Sequence, residues 1–208
     1  MQPHGPTLAE ARRAIVALGK TFDARGWAPA TSGNYSIRLA DGTIAITVSG
    51  RHKGRLTEDD VMLVAADGTP LEAKRPSAET ALHLWLYAQD PAIGSVLHSH
   101  SHAAVGLGRA RRAASHIRFD GHEMLKALPG ITTHEVSLTL PIVDNSQDMA
   151  VIEAAIDGRI DGAPAYLIRD HGLYSWGRDI EEAERVTEAI EWMIAAELAE
   201  LSFAGAAR

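Results

Sequence analysis

The stretch of this sequence with the most chemistry in it is Ser95-Val96-Leu97-His98-Ser99-His100-Ser101-His102. Three histidines recur at every second position, directly after a short apolar run. In an extended strand alternate side chains share one face. His98 and His100 are therefore expected to present two imidazoles to one cation. Neutral imidazole is the commonest metal ligand and suits zinc. A third ligand has to come from elsewhere. The best candidate is His171, in Ile168-Arg169-Asp170-His171-Gly172, just past a second apolar run from Ala165 to Ile168. His102 keeps the spacing, but Ala103-Ala104-Val105 suggests that the chain has already turned there. The plainer alternative is a polar strand end with solvated histidines, and the distant Asp-His-Gly turn weighs against it. The chain has no cysteine, so disulfides and thiolate zinc sites are excluded and any metal must sit on His, Asp or Glu.

Three turns could hold an anion: Ser32-Gly33-Asn34, Ser49-Gly50 and Pro76-Ser77-Ala78. Small residues let backbone N–H groups approach closely, and the hydroxyls donate as well. Ser77 is expected at a helix N-terminus, where free N–H groups and the dipole favour negative charge. Lys53 could add a point charge. Each turn taken alone is more simply a turn or a cap. Together they gain meaning only if they converge near the metal.

The elements that must position these residues can be read in chain order. Thr7 and Glu10 make a capping box, and Leu8, Ala11, Ile15, Leu18 and Phe22 fall at helical spacing, ended by Gly26 and Pro29. Tyr35 to Leu39 and Thr43 to Val48 read as a hairpin turning at Asp41-Gly42. Val61 to Ala65 is a strand. An apolar helix is expected from Ala78 to Gln89, stopped by Asp90-Pro91. Residues 106–121 give no clear period, and Arg109, Arg111 and Arg112 read as a solvated face or a subunit contact. Gly121 to Leu128 reads as a short helix, Leu138 to Val143 as extended and Asp148 to Asp157 as helical. Ala165 to Ile168 and Leu173 to Trp176 are strands flanking the Asp-His-Gly turn. A last helix starts at Asp179, with Glu182 completing a capping box and one apolar stripe from Ile180 to Leu201. This mixture predicts an α/β protein, residues 1–208 as one domain, with a central, mainly antiparallel sheet flanked by helices.

With 208 residues, 46% hydrophobic and 23% charged, the chain suits a soluble globular protein that needs no staples. A net charge of -7 argues against a nucleic-acid partner, although Arg51-His52-Lys53-Gly54-Arg55 stands out as a local basic cluster. No apolar run approaches the ~20 residues of a membrane span. The first residues show no basic segment followed by an apolar one, so a cytoplasmic location is expected.

Taken together and in this order, Ser32-Gly33-Asn34, Ser49-Gly50, Pro76-Ser77-Ala78-Glu79, His98-Ser99-His100 and His171-Gly172 resemble the class II aldolase/adducin family. The resemblance covers nearly the whole chain. It implies one zinc ion per subunit on His98, His100 and His171, with His102 not a ligand. It also implies a sugar-phosphate substrate whose phosphate lies on the three turns, and a homotetramer with sites between subunits. Ser49-Gly50-Arg51-His52-Lys53-Gly54 and Gly121-His122-Glu123-Met124 are similar to segments of the family's dehydratases, which implies a lyase with Glu123 as acid/base. In the family's aldolases the residue matching Glu79 is a ligand and base. Glu79 is therefore the second catalytic candidate, or a residue that only favours the start of its helix. An aldolase or epimerase, a non-catalytic adducin-like module and a purely structural zinc site are the alternatives.

Overall fold

A computed structural model describes residues 5–206, with the side chains of 204–206 left aside. Eight strands form one sheet in the order β3-β2-β1-β4-β8-β7-β6-β5. They are β1 (Asn34–Arg38), β2 (Ile44–Thr47), β3 (Val61–Val64), β4 (Ser95–Ser99), β5 (His116–Asp120), β6 (Ser137–Val143), β7 (Ala165–Ile168) and β8 (Gly172–Gly177). The helices are α1 (Leu8–Ala24), α2 (Thr80–Gln89), α3 (His102–Ala110), α4 (Met149–Ile156) and α5 (Ile180–Ala206). The pairs β1–β2, β1–β4, β2–β3, β5–β6 and β7–β8 are antiparallel, and β6–β7 is parallel. The expected mainly antiparallel sheet with flanking helices is what forms. No helix among the described residues is long and apolar enough to cross a membrane.

The chain divides into two compact units. One runs to Ser99 and takes back Trp176–Glu184. In it, the Thr7–Glu10 capping box starts α1, and Ala11, Ile15, Leu18 and Phe22 bury the helical stripe against Tyr35, Ile37, Ala45 and Leu97. The hairpin turns at Asp41-Gly42 as expected, with Gly42 at φ +85°. Register is what matters for the site: Asn34 pairs with His98 and Ser36 with Val96 across β1 and β4. Helix α2 begins at Thr80, later than the expected Ala78, so Ser77 lies outside its first turn. The Ser77 hydroxyl instead accepts the Glu79 backbone N–H at 3.3 Å.

The second unit is His100–Ser175 with α5 from Arg185 onward. Its core joins Leu107, Ile117, Phe119, Leu125, Leu138, Leu140 and Leu167 to Val186, Ile190, Met193 and Ile194 of α5. The span 106–121 resolves into the end of α3, a turn and β5. Ser101 caps α3, its hydroxyl accepting the Ala104 N–H at 2.9 Å. Strand β5 alternates exposed and buried, with Ile117 and Phe119 inward. Gly121 to Leu128 is a short 3-10 turn over Glu123–Ala127 rather than an α-helix. Parallel strands need a crossover, and α4 supplies it between β6 and β7. The last helix does use Asp179, whose carboxylate accepts the Glu182 N–H at 2.7 Å. The Glu182 carboxylate accepts the Arg178 N–H at 2.8 Å, one residue earlier than a capping box requires.

Candidate metal centre

Strand β4 ends at Ser99, so His98 is in the strand and His100 just beyond it. The two imidazoles converge nevertheless. Glu79, His98, His100 and His171 each offer a ligand atom, and these four atoms lie within 4.8 Å of one another. His98 is fully buried, with its Nε2 3.6 Å from Glu79 Oε2. The rings of His100 and His171 stand 4.7 Å apart. His102 opens α3 with its side chain exposed and takes no part in the group. Three imidazole nitrogens and a carboxylate oxygen form a donor set that a borderline divalent cation accepts.

His171 sits on a tight turn. Its N–H donates to Ile168 O at 3.2 Å, and Asp170 before it has φ +57°. The Asp170 carboxylate receives Arg109 at 3.2 Å and lies 3.8 Å from Arg112, so two of the three arginines brace the turn from solvent. His171 Nδ1 lies 3.1 Å from Asn145 Oδ1. An amide oxygen only accepts, so Nδ1 carries the proton and Nε2 is left for a cation. Asn145 was not foreseen. It follows β6 as His171 follows β7, and parallel pairing of Val143 with Ile168 brings both strand ends to one place. The signal lies in the pairing, not in the residues around Asn145.

The three small turns do converge. Ser49 N–H donates to Arg75 O at 3.0 Å, and Val48 bridges Pro76, which joins the second turn to the third. Lys53 Nζ donates to Thr31 O at 2.9 Å, beside the first turn, and to Arg51 O at 2.7 Å. Asn34 of the first turn donates to Glu79 Oε2 at 2.6 Å. Several details differ from expectation. Ser32 Oγ donates to Pro29 O at 2.7 Å. The Asn34 amide is taken up by Glu79 and His83. Lys53 is buried, and burial lowers its pKa to about 8. Gly33 and Gly50 have φ of +76° and +74°, a conformation glycine adopts freely.

Glu79 is the residue immediately before α2, and its carboxylate reaches the histidines instead of capping the helix. Glu123 behaves differently. It is exposed, paired with Lys126 and 3.4 Å from His134 Nδ1. Lys126 beside it holds its carboxyl below the usual range, not above it as a buried proton donor requires. Within one chain it is not part of the four-residue group.

The sheet order and the Glu-His-His-His group, which could hold a metal ion, are the features that define the class of protein. The chain belongs to the class II aldolase and adducin family, whose N-terminal domain matches residues 13–198. It is 48% identical to the methylthioribulose-1-phosphate dehydratase of Acidiphilium cryptum over 93% of this chain and 92% of that one. It is 49% identical to the enzyme of the same name from Gluconobacter oxydans over 91% of each. Among solved structures it is similar to YgbL from Klebsiella pneumoniae, with a TM-score of 0.79 at 26% identity, covering 91% of this chain and 89% of that one.

Proposed function

We propose that this protein is a single-domain lyase of methionine salvage, dehydrating 5-methylthioribulose 1-phosphate to 2,3-diketo-5-methylthiopentyl 1-phosphate. The likeness to relatives of that name over nine-tenths of both chains supports the substrate. The observation that carries the chemistry is the convergence of Glu79, His98, His100 and His171.

His98, His100 and His171 are the ligands, and zinc is the cation their nitrogens suit. When bound, zinc supplies Lewis-acid polarisation to the substrate's C2 carbonyl, which is what makes the C3 proton removable. Glu123 takes the C3 proton and returns it to the C4 hydroxyl, and the C4–O bond breaks. Oxygen leaves as water, and the enol tautomerises to the diketone. Glu123 donates the proton that lets the C4 oxygen depart. Its lowered pKa in the single chain, caused by Lys126, is reconciled with that role by cover from a neighbouring subunit of a homotetramer, since desolvation raises a carboxyl pKa. Ser32, Gly33, Asn34, Ser49, Gly50 and Ser77 surround the phosphate, through backbone N–H groups where their side chains are already engaged. Lys53 contributes charge from beneath the first turn. The setting is the cytoplasm, with neither nucleic acid nor membrane as partner.

One observation favours a second reading. Glu79, not Glu123, lies inside the histidine group, which suits an aldolase or epimerase with Glu79 as base. The deciding experiment offers the purified protein two substrates, methylthioribulose 1-phosphate and a keto-sugar 1-phosphate lacking the methylthio group. Diketone release from the first supports the dehydratase. Aldol cleavage of the second, with none of the first consumed, overturns it.

A further inference from the structure

A buried polar line runs behind Glu79. Glu79, immediately before helix α2, is followed at four-residue steps by His83 and Tyr87 on the helix, and β1 carries Asn34 and Ser36 on one face. Tyr87 Oη lies 2.8 Å from Ser36 Oγ, which lies 2.7 Å from His83 Nδ1. His83 Nε2 contacts Asn34 Oδ1, and Asn34 Nδ2 lies 2.6 Å from Glu79 Oε2. Ser36 and His83 are wholly buried, and Asn34 and Tyr87 nearly so.

The chemistry gives every link in this line one direction. A carboxylate only accepts, so the Asn34 amide nitrogen must face Glu79 and its carbonyl must face His83. His83 Nε2 therefore carries a proton. Burial lowers the His83 pKa to about 3, so the ring is neutral and Nδ1 is an acceptor. Ser36 then donates to Nδ1, and its oxygen accepts from Tyr87.

We propose that Tyr87, Ser36, His83 and Asn34 form an orientation relay that fixes the Asn34 amide and thereby holds the Glu79 carboxylate at the metal centre. Without the His83 donor, the Asn34 amide can turn its carbonyl towards Glu79, where oxygen would repel oxygen. His83 is thus a positioning residue, two hydrogen bonds removed from the Glu79 carboxylate. The relay rests on the metal site proposed above and not on the identity of the substrate.

Titration of metal-free protein with Co²⁺, followed by its visible absorbance, tests this without turnover. The variants are His83→Gln, which keeps a donor and an acceptor, and His83→Phe, which keeps the ring shape alone. Each is made singly and together with Glu79→Gln. A hydrogen bond to a charged group predicts that His83→Phe weakens Co²⁺ binding about tenfold or more, and that His83→Gln stays within about threefold. In the Glu79→Gln background the His83→Phe effect should vanish, because the residue it serves is gone. Equal losses in His83→Gln and His83→Phe, or additive losses in the double variant, overturn the relay. If His83→Phe does not fold, Ser36→Ala and Tyr87→Phe enter the same cycle. Ser36→Ala is then expected to cost more than Tyr87→Phe, and no loss from either overturns the relay. If Co²⁺ binding follows the expected order but no diketone is released, the reading of the reaction fails and the relay stands.

Discussion

Glu123 leaves 69% of its side chain in solvent, whereas Glu79 leaves 17% and reaches His98. A group that protonates departing hydroxide must keep its proton until needed, which demands desolvation. Glu79 has part of that environment from its own chain, and Glu123 must acquire it. In Glu123→Gln the amide keeps the shape and loses the transferable proton. We expect that variant to fold, keep its cation and lose about 10²–10⁴ in kcat, the usual worth of general acid–base catalysis. Glu79→Gln should cost less in dehydration and more in cation affinity. The reverse order of turnover marks the aldolase-type base, and near wild-type kcat in Glu123→Gln removes Glu123 from the mechanism. The histidines can be ranked by the same logic. His98→Ala, His100→Ala and His171→Ala should each lose the cation and turnover together. His102→Ala, exposed on the first turn of α3, should keep both. Elemental analysis of the four purified variants decides this, and full cation content in His171→Ala would exclude it as a ligand.

At the scale of elements, the strand pair β1–β4 sets the site. A Cβ on Gly33 would stand 2.7 Å from His98 O, and the residue has φ +76°. Gly33→Ala must therefore either strain β1 or push His98. The left-handed conformation alone costs an alanine about 1–2 kcal/mol. We expect a lowered melting temperature together with weakened cation binding, measured on one preparation. A lower melting temperature with unchanged affinity would mean that β4 does not transmit the shift. Much of this scaffold was legible: the Thr7–Glu10 cap, the Asp41-Gly42 hairpin and the strands around Asp170-His171-Gly172 all follow local rules. The span 106–121 was not. Gly106 and Gly108 deprive α3 of side chains that would have shown its period. A Cβ on Gly106 would stand 3.1 Å from a Leu198 methyl, and one on Gly108 would make ordinary contact with Leu167 at 3.4 Å. His83 was illegible for another reason. A histidine inside an apolar helix reads as core until the neighbouring strand supplies Ser36 and Asn34.

At the scale of the whole molecule, the unmet requirement is cover for Glu123. Its Lys126 and His134 partners leave it open and acidic in a single chain. An assembly in which a neighbour buries that surface would raise its pKa and place it against a cation held by another chain. Cyclic oligomers make such heterologous contacts routinely. Complementation between inactive variants tests the arrangement. His98→Ala lacks the metal site but retains Glu123, and Glu123→Gln has the converse. Each alone should be inactive. Unfolded together and refolded as mixed oligomers, they should recover activity in roughly a quarter of sites, those pairing an intact metal site with an intact neighbouring Glu123 in a ring. Sedimentation before and after mixing shows whether an oligomer is present to exchange. A stable oligomer that mixes fully and regains nothing would mean that each chain uses its own Glu123. A monomer with full activity would mean that no neighbour is needed, and the acid would then have to be sought closer to Glu79.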